Sequence, residues 1–270
     1  MVEMTKKYKI GTRRFGLINW VGAWTLYKKE VLRFLIVWLQ TIFSPLISSL
    51  LFLLILTLAI GSERGEVLGV AFITFLAPGL IAMQVIQQSF SHSSSSFMIG
   101  KIQGNIVDLL YAPLSPTEVT ISVSLAAVTR SFMIAAISII VFYFIIDIQI
   151  KHFFILILFC FLSSFILGNI GIIAGLWAEK FDHMASATNF VIVPLSFLSG
   201  TFYTIDRLPG FLQAASKANP FFYMIDGIRY SFIGNADGSI KLGIIYLVIL
   251  SFLSWLAAYI LFKKGYKIKS

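Results

Sequence analysis

Six stretches of this chain are apolar over lengths that a membrane explains best: Phe34–Ile60, Val67–Phe90, Val119–Ile146, Phe153–Trp177, Ala187–Tyr203 and Ile240–Phe262. A bilayer core about 30 Å thick takes roughly 20 residues of helix. Helix is also a form that satisfies every backbone N–H and C=O within lipid. The fifth stretch is the shortest and contains Pro194. A span tolerates such a proline when neighbours satisfy the carbonyl it frees. Composition agrees: 12% of residues are charged and 58% are hydrophobic, with mean hydropathy +0.90. Soluble domains average about 25% charged residues. The expected fold is an all-α integral membrane protein, with a six-span domain at 34–270 behind an N-terminal segment at 1–33.

Six spans place both ends on one side. That side collects 14 Lys and Arg against 6 opposite, so the positive-inside rule puts both termini in the cytoplasm. No cleavable signal peptide is evident, because the first apolar span follows a long basic segment. The net charge of +9 gathers at the two ends without aromatic stacking modules, which argues against nucleic acid. Cys160 is the single cysteine, and His92, His152 and His183 lie far apart without metal-ligand spacing. A nucleotide-binding P-loop is missing: Gly100-Lys101 is followed by Ile102, and position 95 is serine. HExxH and GxSxG are missing too. The expectation is a chain with no catalytic residues, no metal and no bound cofactor, which is not an enzyme. Arg130 is the clearest charge inside a span. It must face the bundle interior, water or carbonyl groups, as a pathway element or as a structural anchor.

Residues 16–33 form an amphipathic pattern. Leu17, Trp20, Val21, Trp24, Tyr27, Val31 and Leu32 share one helical face; Asn19, Gly22, Thr25, Lys29, Glu30 and Arg33 share the other. Such a helix can lie in the membrane interface. Residues 204–239 form a long loop that is too apolar to be solvated. Asp206–Ala215 and Asn219–Ile233 read as two short helices dipping into the outer leaflet, with Asn219 as N-cap and Pro220 at the first helical position. The run Ser93–Ser96 reads as a flexible exit from the second span, and Gly171-x-x-x-Gly175 as a close-packing face within the chain.

Between the second and third spans lies GNIVDLLYAPLSPTEV, residues 104–119. Ile102, Ile106, Leu109 and Leu110 have helical spacing, giving a short cytoplasmic helix over about 101–111. Pro113 and Pro116 stop it. Ser115-Pro116-Thr117-Glu118 is then a capping-box signature for the next helix. A stiff element joined directly to a span transmits force from a partner, which a loose loop would not.

This segment resembles the coupling-helix region of the type-two ABC exporter permeases, the superfamily of drug, polysaccharide and lipo-oligosaccharide exporters. A second likeness is SFLSGTFYTIDRLPGFLQAASKANPFFYMIDGIRYSFIG at 196–234, with its SG, LP, NP and GxR in order. The resemblance implies six spans, an N-terminal interfacial helix, a cytoplasmic coupling helix and two re-entrant helices at about 204–234. It implies two copies in a bacterial-type inner membrane, a homodimer or a pair of related chains, with two separate cytoplasmic ATP-binding subunits that carry ATP and Mg. Gly104, Asn105, Asp108, Leu110, Pro113, Ser115, Pro116 and Glu118 would form the coupling element. Gly200, Pro209, Pro220, Asp226, Gly227 and Arg229 would belong to the outer gate. Read as residues alone, Asp226 and Arg229 could equally be a local i,i+3 ion pair. The 26 Phe and few polar residues in the spans suit a lipid-like, lipid-linked or amphipathic cargo among membrane lipids. A non-transporting scaffold or an ion-coupled secondary transporter are the alternatives.

Overall fold

The computed structural model describes residues 16, 18–60, 65–146 and 148–268. Leu17 and the basic residues Lys6, Lys7, Lys9, Arg13, Arg14, Arg64 and Lys269 lie outside the described residues, with the part of the charge argument that rests on them. Among the described residues five helical segments are long and apolar enough to cross a membrane: Leu39–Ala59, Phe72–Ile102, Pro116–Ile146, Phe153–Trp177 and Ile240–Lys263. The chain is an all-α, multi-pass membrane protein. Its only described strands are β1 (Glu66–Val67) and β2 (Val70–Ala71), an antiparallel pair.

Helix α1 (Trp20–Ile36) starts where the Asn19 Oδ1 accepts the Gly22 N–H at 2.9 Å. Its stripes face differently from a plain surface helix. Leu26, Glu30 and Phe34 are buried, whereas Trp20, Val21 and Trp24 are 73%, 76% and 64% exposed. Contacts to the bundle thus come from Leu26 and Phe34 together with Asn19 and Glu30 of the polar stripe, and the two tryptophans face away from it. A π-helical turn (Leu39–Phe43) leads into α2 (Ser44–Ile60). The Ser44 N–H reaches back five residues to the Leu39 carbonyl, one residue before Pro45. A proline ring collides with the carbonyl four residues earlier, and a widened turn relieves the clash.

Helix α3 (Phe72–Ile102) is the centre of the bundle, packed on α5 (Pro116–Ile146) and most extensively on α6 (Phe153–Trp177). It runs a full 12 residues past the expected end at Phe90. The serine run is therefore helix rather than a flexible exit, with Ser93 and Ser94 buried. The reason is the glycine face of α6. A Cβ at Gly171 would stand 2.6 Å from the Phe90 carbonyl oxygen and 3.0 Å from the Ser93 Cβ. One at Gly175 would stand 2.8 Å from the Ser94 carbonyl oxygen. Small residues on both sides bring the two backbones together, the arrangement that drives helix association in lipid. Polar links tie both helices to α5: Ser89 Oγ and Ser131 Oγ are 2.5 Å apart, and Ser124 donates to Asn169 Oδ1 at 2.9 Å.

The remaining expected span, Ala187–Tyr203, takes another form. Helix α7 (Phe181–Ala187), a second π-helical turn (Thr188–Ile192) and α8 (Val193–Leu198) follow without a break. The turn again directly precedes a helix carrying a proline near its start, here Pro194. This run is not among the five segments above. After a single 3-10 turn (Ile205–Arg207) come α9 (Gly210–Ala218), α10 (Pro220–Ile233) and the last span, α11 (Ile240–Lys263). Asn219 caps α10 through Phe221 N–H at 3.1 Å, with Pro220 at its first position. Helix α10 is packed among α3, α6 and α11, and most of its side chains are buried.

Gly171→Leu must push a side chain against the α3 backbone. Overpacking of this kind costs about 1–3 kcal/mol or more. We expect a marked fall in folded, membrane-inserted yield and in thermal unfolding temperature. Gly210→Ala, where a Cβ meets nothing within 4 Å, serves as the neutral comparison. Equal melting temperatures for the two variants would refute the packing argument.

Candidate functional site

The α4 end of the bundle holds the segment that the sequence marks as the coupling element. The helix itself, α4, is Ile106–Tyr111, shorter than the expected 101–111. Lys101 and Ile102 belong to α3, because Gly104 breaks the chain with φ +77°. Lys101 turns back instead, donating from Nζ to the Leu176 carbonyl at 2.8 Å and to that of Ala178, where it caps α6. The expected apolar ridge is also divided. Ile106 is buried with Leu26, Phe97, Val119, Val123 and Phe262, whereas Val107, Leu110 and Tyr111 are 43%, 41% and 86% exposed. Gly104, Asn105 and Asp108 are exposed beside them. Asn105 does not cap α4 with its side chain, which bonds Gln103 Oε1 at 3.1 Å.

The turn after α4 is held by a buried carboxylate. Glu118 is 6% exposed, and its Oε2 accepts the Ser115 N–H at 2.6 Å while Ser115 Oγ accepts the Glu118 N–H at 3.3 Å. This reciprocal pair is the capping box read in the sequence, with Pro116 at the first position of α5. Sequence reasoning missed the third arm: Glu118 Oε1 accepts the Asn19 N–H at 2.7 Å. Asn19 Nδ2 donates to the Pro113 carbonyl at 3.2 Å. The start of α1 is thereby tied to the α4–α5 corner. Gly22 permits the approach, since a Cβ there would lie 2.8 Å from Leu114 Cδ2. Farther along, Ala23 accepts from Ser122 at 3.0 Å, and Tyr27 and Thr129 hydroxyls are 2.8 Å apart.

At the α10 end, Arg229 is 1% exposed. Its Nη2 donates to the Gly200 carbonyl at 2.7 Å and the Thr201 carbonyl at 3.1 Å, and its guanidinium lies 4.0 Å from the Phe75 ring centroid. Gly200, in the left-handed region at φ +78°, ends α8. Asp226 accepts from Asp237 and Gly238 N–H groups, each at 2.9 Å. Asp226 and Arg229 therefore serve two different turns instead of pairing with each other. Gly227 lets α10 rest on α6, since a Cβ there would fall 2.1 Å from the Phe159 ring. Pro220 starts α10, and Pro209 is exposed at the start of α9, apart from this cluster.

A polar cavity of about 600 Å³ opens between these two regions, against α2, α3 and α5. Gln84, Gln87, Gln88, Ser91 and Ser95 line it from one face of α3, spaced at three and four residues. Gln40, Ser44 and Ser48 line it from the α2 side at intervals of four. Arg33 enters from α1, with Glu30 Oε2 at 3.0 Å, Ser95 Oγ at 3.2 Å and the His92 carbonyl at 2.9 Å. Arg130 enters from α5 and donates to Gln88 Oε1. Its partner is thus a side-chain amide rather than helix-end carbonyls. Sequence reasoning missed this polar lining: summed over a whole span the polar residues are few, but they fall on one face. Among the described residues no three His, Cys, Asp or Glu side chains gather as a metal site needs.

A family model described as ABC-2 type transporter matches residues 22–233. The inner membrane transport permease YadH of Escherichia coli K12 is 33% identical over 256 residues, 94% of this chain and 99% of YadH. Nodulation protein J of Rhizobium leguminosarum biovar viciae is 24% identical over 254 residues, 89% of this chain and 93% of that protein. The matched region holds α4, Glu118 and Arg229, and this chain belongs to the ABC-2 type transporter family of membrane proteins.

Proposed function

We propose that this chain is the permease subunit of an ATP-driven exporter whose ATPase is a separate chain docked on α4. The observation that carries the reading is the division of α4. One side offers Val107, Leu110 and Tyr111 outward, and the other is locked into the bundle through Ile106. A six-residue helix is about 9 Å long. Clamped by Ile106 and by the Glu118–Asn19–Pro113 bonds, it moves as one body with α1 and the start of α5. A push on its outer face thus reaches α1 and the spanning helix α5 at once.

In this reading two permease copies, as a homodimer, bind two cytoplasmic ATP-binding subunits in an inner membrane. ATP and Mg stay on the partner, and this chain hydrolyses none. The α4 end and both termini are cytoplasmic, and the helical run from Phe181 to Leu198 serves as the fifth of six crossings. Helices α9 and α10 form the re-entrant pair. Gly200, Pro209, Pro220, Asp226, Gly227 and Arg229 shape the outer gate. The cargo is lipid-like, lipid-linked or amphipathic, and moves outward from the cytoplasm or inner leaflet. The transport permease among the relatives supports this reading over a scaffold.

Leu110→Asp places a charge on the docking face, where burying a leucine contributes roughly 1.5–3 kcal/mol. Export should fall at least tenfold, and the ATPase should no longer co-purify, with membrane insertion unchanged. Asp108→Lys should weaken coupling in the same direction through the wrong sign of charge at the interface. Normal export and co-purification in Leu110→Asp would sink the docking assignment.

Orientation is tested separately, in a Cys160→Ala background. An impermeant thiol reagent applied to intact cells should label Phe211→Cys on exposed α9 and leave Tyr111→Cys on α4 unlabelled. The reverse pattern would invert the topology.

A further inference from the structure

The polar cavity has a chemistry that the coupling argument does not use. Four glutamines, four serines and two arginines line it, and no Asp or Glu does. Arg33 has Glu30 for a partner. Arg130 has none: the ion pairs among the described residues are Glu30 with Arg33, Glu30 with His92, and Glu179 with Lys267. Arg130 is 8% exposed, and its buried Nε makes no hydrogen bond. Gln84 likewise donates to the Pro45 carbonyl at 3.0 Å while its buried Oε1 accepts nothing. A guanidinium so buried and without a counter-charge is costly unless an anion or water completes it, and an anion does so with charge as well as hydrogen bonds. The surrounding amides and hydroxyls both donate and accept, as a hydroxyl-bearing head group requires.

We infer that this cavity is a binding site for the phosphate-bearing head group of an amphiphile, with Arg130 as its principal charge and Gln84, Gln87 and Gln88 as its polar frame. Guanidinium groups match phosphate oxygens in pairs, which a carboxamide cannot do. An apolar groove of about 400 Å³ abuts the same helix α2, lined by Ile47, Leu51, Leu54 and Leu58 among others. Ser48 of the polar cavity and Leu51 of the apolar groove are one turn apart, so α2 presents a place for a head and a place for a chain. Treating the site as a cargo site rests on the permease reading; the binding itself does not.

The test is native mass spectrometry of the full-length protein, without ATPase, titrated with dodecyl phosphate in an uncharged detergent. Wild type should bind one dodecyl phosphate per chain. Arg130→Gln should weaken binding at least tenfold, and Arg130→Lys should recover part of it. Gln87→Glu adds a carboxylate to a half-exposed position and should weaken binding severalfold without disturbing the fold. Arg207→Gln, on an exposed turn at the α10 end, should change nothing. Binding that is indifferent to both Arg130→Gln and Gln87→Glu would overturn the site. Inorganic phosphate competing as well as dodecyl phosphate would overturn the amphiphile assignment. A change in dimerisation with no change in affinity would show that a second copy fills the cavity, and would overturn the proposal too. Failure of export with binding intact would count against the permease reading alone.

Discussion

The Glu118 carboxylate joins pieces of chain 99 residues apart, with one oxygen on Asn19 and the other on Ser115. Both partners are backbone N–H groups at the start of helices, where unpaired donors and the helix dipole favour negative charge. That explains how a carboxylate 6% exposed keeps its place in so apolar a protein. Charge-assisted bonds of 2.6 and 2.7 Å are also short and directional, so they fix the angle between α1 and α5. Everything proposed for α4 depends on this corner, because a six-residue helix has little stability of its own.

The same demand for satisfied backbone governs the opposite end. Gly200 and Thr201 present carbonyls where α8 has stopped, and Arg229 crosses from α10 to meet both. Gly79 opposes them on α3, and a Cβ there would strike the Thr201 carbonyl at 2.5 Å. Lys151 Nζ performs a similar service for the Ile233 carbonyl at the end of α10, at 2.5 Å. Carbonyls freed at a helix end and buried in so apolar a bundle need such donors. The prolines follow the same logic. Pro45 and Pro194 are each approached through a π-helical turn, so the chain bends without leaving a carbonyl crushed against the ring.

Local signals were legible in the sequence. The capping box at Ser115 and Glu118 and the Asn219 cap depend on neighbours within a few residues, and the structure places them as read; five of the apolar stretches also form long helices, with shifted ends. What escaped depends on partners far away. Ser93 to Ser96 looks like a breaker until Gly171 and Gly175 are known to face it. Ile102 fits a helical pattern with Ile106, but Gly104 separates the two into different helices. The bond from Asn19 to Glu118 has no sequence signature at all. The glutamine and serine face of α3 did have one, at intervals of three and four, but apolar totals over a whole span average it away.

These pieces form one mechanical path. Arg130 lies 14 residues beyond Pro116 on α5, about 21 Å of helix at 1.5 Å per residue. Arg33 lies on α1, whose start is tied to the same corner. Both arginines wall the polar cavity, and the third wall, α3, packs closely on α6 at Gly171 and Gly175. In the proposed reading, a force on α4 is passed to α1 and α5, which both touch α3 beside the cavity. The bonds that reach α3 beside the cavity are Arg33 to Ser95 at 3.2 Å and to the His92 carbonyl at 2.9 Å, and Arg130 to Gln88. Motion at the proposed docking face would then alter the spacing of two positive charges, which is the quantity an anionic head group in the cavity would feel most strongly.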